Sequence, residues 1–389
     1  MVPALNFNYS NMNSLKHTIL TIVFAFVSFC SFGCGLPAGI AKKMMQPPQL
    51  PPGQQPVHPM SRPVEPYNYS DPKLAELDQN AEVLLRKRDF QGLDSFAQKL
   101  VQNKERFTGG SWKIFSFDRV VATPLDDKTD EAAWESHIAL LKEWVASSPK
   151  SIFAQTALAN GYIGWAAAVR GEGYASTVPK ENWAIFRQRI DYAVTVMKEA
   201  SQLETKYHGY YDTWLEIAKL QGWGRQTYDS AFNAAIKFDP TYQYFYTGKA
   251  INLLPRWGGE PGEWEDFADK VKADLGPTEG LKMYFLMVAE MSGMHGPDFF
   301  KTNRVSWEDT KKGAELYEKE FGMNRRKLNQ LGQLAYHAGD AKIACDTFSR
   351  LKGENDYEPD VWDNRGKFEY YRKASLEAMC AAPQARGEH

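Results

Sequence analysis

The 389-residue chain predicts an all-α fold, a superhelix of stacked helix pairs, on three observations. Apolar and small residues recur at helical spacing in paired runs. Glycine or proline separates many of those runs. No segment sustains the alternation of apolar and polar residues that marks a half-buried strand between hairpin turns.

The clearest pair spans residues 328–351. Leu328, Leu331, Gly332 and Ala335 fall on one stripe of a helix, and Ala344, Phe348 and Leu351 on one stripe of a second. The small Gly332 admits a neighbouring backbone. Gly339 suits the left-handed residue that ends a helix, and Asp340 can accept from the free N–H groups that begin the next. This unit resembles the tetratricopeptide repeat, whose period is about 34 residues. Leu328 stands where that pattern prefers Trp and Ala335 where it prefers Tyr. The resemblance implies a tetratricopeptide-like solenoid and no particular chemistry.

Residues 1–34 read as an export signal. Lys16 and His17 precede an apolar run, residues 19–32, shorter than the roughly 20 residues that span a bilayer but near the length of a signal's apolar region. Met12 offers a start that shortens the leader. Ser31-Phe32-Gly33-Cys34-Gly35 resembles the bacterial lipoprotein processing site, with Gly33 as the small residue and Ser31 where Leu is usual. Three outcomes fit: lipidation of Cys34, cleavage near Ala38 or Ala41 with release, and an uncleaved anchor. The expected location is therefore the periplasm or the membrane of a bacterium, with membrane contact only through this N-terminus.

Residues 35–70 form a Pro/Gln-rich linker, with prolines at 47, 48, 51, 52, 56, 59, 63 and 66. Each proline removes a donor and fixes its own torsion, so neither helix nor sheet survives that density. A semi-rigid tether of about 3 Å per residue is one reading, and a segment without a role is the other.

The folded body is expected over residues 71–380, with a tail at 381–389. Asp71 can cap a helix through Leu74, Leu77, Ala81 and Leu85, and Phe90, Leu93, Phe96, Ala97 and Leu100 mark the return helix. Ser111 can cap a third helix carrying Trp112 and Phe115, although residues 114–117 also fit a short strand. Trp134, Ile138, Leu141, Trp144 and Val145 form one stripe, closed by Ser148 and Pro149. Ala157, Leu158, Ala159 and Tyr162 then pair with Ile190, Ala193, Met197 and Ala200 across an insertion, residues 170–183. Trp214, Ile217 and Ala218 pair with Tyr228, Phe232 and Ala235, and Pro240 stops that unit. Residues 246–254 pair with 264–271, and Tyr284, Met287 and Ala289 with Gly313, Leu316 and Tyr317. A last helix over residues 360–379 caps the stack.

Several separated segments resemble a bacterial family known only as domain of unknown function 4034. They are Ala157-Leu158-Ala159-Asn160-Gly161-Tyr162, the run from Trp165 through Arg170-Gly171-Glu172-Gly173-Tyr174 to Ala175, Gln221-Gly222-Trp223, and Leu253-Leu254-Pro255-Arg256-Trp257-Gly258-Gly259. The similarity covers residues 131–371. It implies a tetratricopeptide-like fold, supplies no activity, and carries over no catalytic residue.

Composition narrows the partners. A net charge of -2 leaves no global basic footprint for phosphate-backbone binding, so no nucleic acid is expected. The four cysteines, Cys30, Cys34, Cys345 and Cys380, show no CxxC pair and no nearby His at ligand spacing, so no metal is expected. Serine-hydrolase elbow, HExxH helix and Walker loop are absent, and Gly171-Glu172-Gly173 does not complete a dinucleotide loop, so no cofactor is expected. Cys345 reads as a small core residue, with a disulfide to Cys380 as the alternative in an oxidising compartment. The scattered histidines at 137, 208, 295 and 337 show no obvious carboxylate partner in sequence, and His137 reads as a satisfied, half-buried imidazole.

Trp134, Trp144, Trp214 and Trp264 fall on helix stripes and read as core. Trp165, Trp183, Trp223 and Trp257 lie at helix ends or beside glycine-rich loops, with Arg170, Arg225 and Arg256 close by. Arg and Trp dominate binding hot spots, and repeat scaffolds present loops along one edge. The candidate binding set is therefore Arg170, Glu172, Tyr174, Trp183, Trp223, Arg225, Arg256 and Trp257. The alternative is that these arginines stack on the rings and fasten the loops. A scaffold for a protein or peptide partner and an envelope enzyme or small-ligand binder with a site in the concave groove are the two function classes that remain.

Overall fold

The computed structural model describes residues 72–125, 130–171, 175–293, 298–352, 356–359, 361–362 and 364–379. The signal, the linker, Asp71 and His295 lie outside them. Among the described residues the protein is all-α, and the single extended contact is an isolated antiparallel bridge between Arg106 and Trp112.

α1 (Pro72–Arg86) and α2 (Phe90–Gln102) form the expected hairpin. Arg88, at φ 56°, turns the chain, and Asp89 accepts from the Gly92 N–H at 2.9 Å. α3 (Lys113–Val121) settles the helix-or-strand question: Ile114, Phe117, Val120 and Val121 bury one helical stripe. Ser111 is not its cap. Trp112 holds that position without a side-chain cap bond, and burial of its whole indole fixes where the helix begins.

Hydroxyl and carboxylate caps start the next two helices, Asp130 for α4 (Glu131–Ser147) and Ser151 for α5 (Ile152–Arg170). α6 (Lys180–Ala200) packs along α5, and α7 (His208–Leu220) pairs with α8 (Arg225–Phe238). α9 (Gln243–Asn252) pairs with the first arm of α10 (Glu263–Ser292). Gly276, at φ 80° ahead of Pro277, breaks α10 into two arms. The arms fold back so tightly that a Cβ on Gly280 would lie 2.1 Å from the Lys272 carbonyl oxygen. After the short α11 (Phe299–Thr302), α12 (Trp307–Phe321) packs on the second arm of α10. α13 (Arg325–Ala338) and α14 (Ala341–Arg350) form the pair read first from sequence, joined through Gly339 at φ 73° and capped by Asp340. Gly332 admits the Phe348 ring rather than a backbone, because a Cβ there would stand 3.1 Å from it. α15 (Arg365–Ala374) and a π-helical turn (Ser375–Met379) close the described chain.

Neighbouring pairs share one core from Leu77 to Leu334, and Leu328, Phe348, Trp362, Phe368 and Tyr371 form a second cluster at the C-terminal end. Each pair alone would leave its apolar face in water, so stacking is what makes the row stable. Among the described residues no helix is long and apolar enough to cross a membrane.

One set of contacts does not follow from periodicity: α3 lies against both α5 and α7. Phe115 of α3 stacks on Tyr244 of α9 at 3.9 Å. The loop before α3 reaches further: the Gly109 N–H donates to the Phe321 carbonyl at 2.9 Å, and the Tyr317 hydroxyl donates to the Gly109 carbonyl at 2.8 Å. Arg106 lies 4.0 Å over Trp112 and 4.8 Å over Phe321. The loop before α3 therefore packs beside α7, α9 and α12.

Candidate functional site

Successive first helices run the same way. At their starts Phe153 of α5 meets Tyr207 at 4.7 Å, and His208 of α7 meets Tyr242 at 4.6 Å. Their ends, at Arg170, Leu220 and Asn252, consequently gather on one edge, and the turns that follow carry the tryptophans singled out from sequence.

That edge is continuous through the last turn of α7. Arg170 lies 5.5 Å over the Trp183 ring and donates to the Gly171 carbonyl at 2.9 Å; burial lowers its pKa. Leu220, Val169 and Trp183 all pack against the small cluster of Ala166, Phe186 and Ile190, while Lys219, one residue before Leu220, places its ammonium 5.6 Å from the Trp257 ring centre. Trp214 and Trp223 lie 5.9 Å apart, and the Trp223 indole N–H donates to Gln221 at 3.0 Å. Arg225 grips Glu263 at 2.8 Å, and Arg256 is exposed. The Trp257 indole N–H has no hydrogen-bond partner among the described residues. Arg170, Trp183, Trp223, Arg225, Arg256 and Trp257 thus share one edge, whereas Glu172 and Tyr174 lie outside the described residues. Fastening accounts for Arg170 on Trp183. It does not describe Arg225, whose partner is a carboxylate, or Trp257, whose covering cation is Lys219.

The same chemistry recurs in places that sequence reading did not find. Arg189 lies 3.8 Å over Trp165 and ion-pairs with Glu131, joining α4, α5 and α6. Lys249 stands 4.3 Å from the Phe232 ring and pairs with Asp229 at 2.7 Å. Lys272 stands 4.7 Å from Tyr284 and pairs with Asp309 at 2.7 Å. Lys282 covers Phe321 and pairs with Glu320. A cation flattened on a ring and held by a carboxylate therefore bolts one helix to the next, and the partners are too far apart in sequence to form a motif.

Buried polar groups lie at α3, α4 and the starts of α7 and α9. His208, which shows no partner in sequence, receives one from the fold: its Nε2 meets Asp239 at 3.0 Å, and Lys104 reaches the same carboxylate at 3.3 Å. Burial alone would raise the Asp239 pKa, but hydrogen bonds from His208 and Thr241 hold it below the usual carboxylate range. Tyr207 donates to Asp118 at 2.9 Å. Burial pushes the Asp118 carboxyl well up, and burial beside Glu216 pushes Asp212 up to about 7. His137 is fully buried rather than half-buried, facing the Val121 carbonyl at 3.1 Å, and burial lowers it to about 4.

An open depression of about 640 Å³ lies between α2 and the turn into α5, lined by Asp94, Lys150, Ser151 and Phe153. Its one carboxylate, Asp94, already accepts from the Trp144 indole at 3.2 Å and from the Ser151 hydroxyl. Cys345 corrects a sequence expectation. It is half-buried and disulfide-bonded rather than a core residue, because it sits one position round the helix from the buried Ala344; Cys380 lies outside the described residues.

No known protein-family model matches the chain, and no curated protein does.

Proposed function

We propose that the protein is an exported, tetratricopeptide-like scaffold, tethered at a bacterial envelope through lipid on Cys34, that recognises a protein or peptide partner along the edge carrying Trp183, Trp223, Arg256 and Trp257. The carrying observation is the gathering of three tryptophan-bearing turns beside one helix end, α7 at Lys219 and Leu220. Buried or half-buried aromatics flanked by arginine are the residue types that anchor interfaces. The disulfide at Cys345 supports export, since such bonds persist in oxidising compartments. The resemblance to domain of unknown function 4034 adds a family in which the same Arg-Gly-x-Gly and Pro-Arg-Trp-Gly-Gly loops occur.

Crosslinking and affinity capture from intact envelopes test the reading, comparing the parent with Arg256→Ala and with a Trp257→Ala, Arg256→Ala variant. The expected result is a partner captured by the parent and lost from both folded variants. Recovery of the same partners by all three, or of none, removes support from this edge. Tethering is tested separately: Cys34→Ser should shift the protein out of the membrane fraction. A second reading, a small-ligand or catalytic site, draws on Asp118 and Asp212.

A further inference from the structure

The C-terminal end of the row has its own small core. Phe348 of α14, Trp362 and, from α15, Phe368 and Tyr371 pack together apart from the main core, with ring centres 5.2 to 6.4 Å apart. Arg372 adds a polar tie, donating to the Leu351 carbonyl at 2.7 Å, just past α14. Among the described residues no further pair covers the outer face of this one, so its helices depend on few neighbours.

The turn that closes this core is unfavourable by itself. Ser375–Met379 is wound as a π-helix, a rare winding, where α15 ends. Ser375 begins it fully buried, and its hydroxyl has no hydrogen-bond partner among the described residues. An unsatisfied buried hydroxyl carries a desolvation penalty. The turn nevertheless lies against α14 as well as α15. α14 carries Cys345, which is disulfide-bonded, and Cys380 is the residue that follows the turn in sequence. The other two cysteines, Cys30 and Cys34, belong to the N-terminal stretch that reads as a leader.

We propose that Cys345 and Cys380 form a redox-sensitive latch, a disulfide that fastens the π-helical turn to α14 and makes the order of the C-terminal pair depend on an oxidising compartment. The bond closes the chain between positions 345 and 380, a loop long enough for the cross-link to shift the local unfolding equilibrium by about 500-fold. A dithiol opens it by exchange. One thiolate attacks a sulfur of the bond, the second thiolate then displaces the first, and the products are two cysteine thiols and the reagent's own disulfide. Once the bond is open, α15 and the turn rest on the ring packing and on Arg372. The latch rests on the export reading in one respect, that an oxidising compartment keeps the bond closed.

Two measurements on the full chain, purified without reductant, test the proposal. Mass spectrometry of unreduced proteolytic peptides should find one that joins Cys345 to Cys380. A bond from Cys345 to Cys30 or Cys34, or a free Cys345 thiol, overturns the pairing. Chymotrypsin then reads the latch at Trp362 and Phe368, both buried. Cleavage there should become at least tenfold faster when dithiothreitol is added, and equally fast in Cys345→Ser without it, while cleavage at Trp264 and Phe285 of the main core stays slow. Equal rates at Trp362 and Phe368 with and without dithiothreitol overturn the latch, and so does a main core that opens along with the terminal pair. Partner capture at the tryptophan edge uses different residues and a different readout, so either result can fail without the other.

Discussion

The Arg189 guanidinium lies 3.8 Å over the Trp165 ring and donates to the Trp165 backbone carbonyl at 2.9 Å, while its other arm holds Glu131. One side chain thereby joins the start of α4 to α5 and α6. Arg189→Ala should cost about 1 to 3 kcal/mol, since it uncovers the Trp165 ring, leaves the Trp165 carbonyl without its donor and takes the cation from Glu131. Lysine at the position should recover only part of that, lacking the planar fork that serves both acceptors. Urea denaturation of the two variants checks the ordering, and equal stability of all three proteins would remove the bolt from the account.

Phe348 is fully buried between Gly332 of α13 and the rings of Trp362 and Phe368. Phe348→Ala should lower stability by about 3 to 5 kcal/mol. Thermal unfolding that overlays the parent's would show that the α13–α14 pair does not depend on this side chain.

Gly110 and Gly339 separate close packing from backbone conformation. Both have positive φ, 77° and 73°, but a Cβ on Gly110 would lie 2.0 Å from the Tyr317 hydroxyl, while one on Gly339 meets nothing within 4 Å. Gly339→Ala should therefore cost about 1 kcal/mol of backbone strain. Gly110→Ala should cost several-fold more, because it also breaks the tie between the loop before α3 and α12. Similar midpoints for the two variants in denaturant would contradict that tie.

Asp212 gives a pH dependence. Burial, then Glu216, raises its folded pKa from the ordinary 3.8 to about 7, so its neutral form is favoured by folding. Its contribution is present in full below the unfolded pKa and is lost as pH rises through about 7. Asp212→Asn should melt higher than the parent at pH 8, and the two curves should converge near pH 4. A constant difference across that range would place the effect elsewhere.

Local pattern made much of this fold legible. The spacing of Leu328, Leu331 and Ala335, with Gly339 and Asp340 after them, specifies a helix, its end and the next start, because each signal acts within a few residues. The tryptophan edge was half legible: turns between paired helices must fall on one side, so Trp183, Trp223 and Trp257 could be grouped, but Lys219 and Glu263 could not be named as their company. The buried acids were not legible. Asp118 on α3 and Tyr207, just before α7, are separated by three helices, and nothing local distinguishes Asp118 from a solvated carboxylate. The tie of Gly109 to Tyr317 is longer still, and Trp112 gave only the sign that an apolar residue needed cover.

The central claim is that recognition uses the edge where α5, α7 and α9 end. Site-specific photocrosslinking in intact envelopes tests it most directly, with the crosslinker placed at Arg256 on that edge or at the exposed Phe238 beside the opposite end of α7. The account predicts a discrete crosslinked partner from position 256 and none from position 238. A partner captured only from 238, or equally from both, would contradict it.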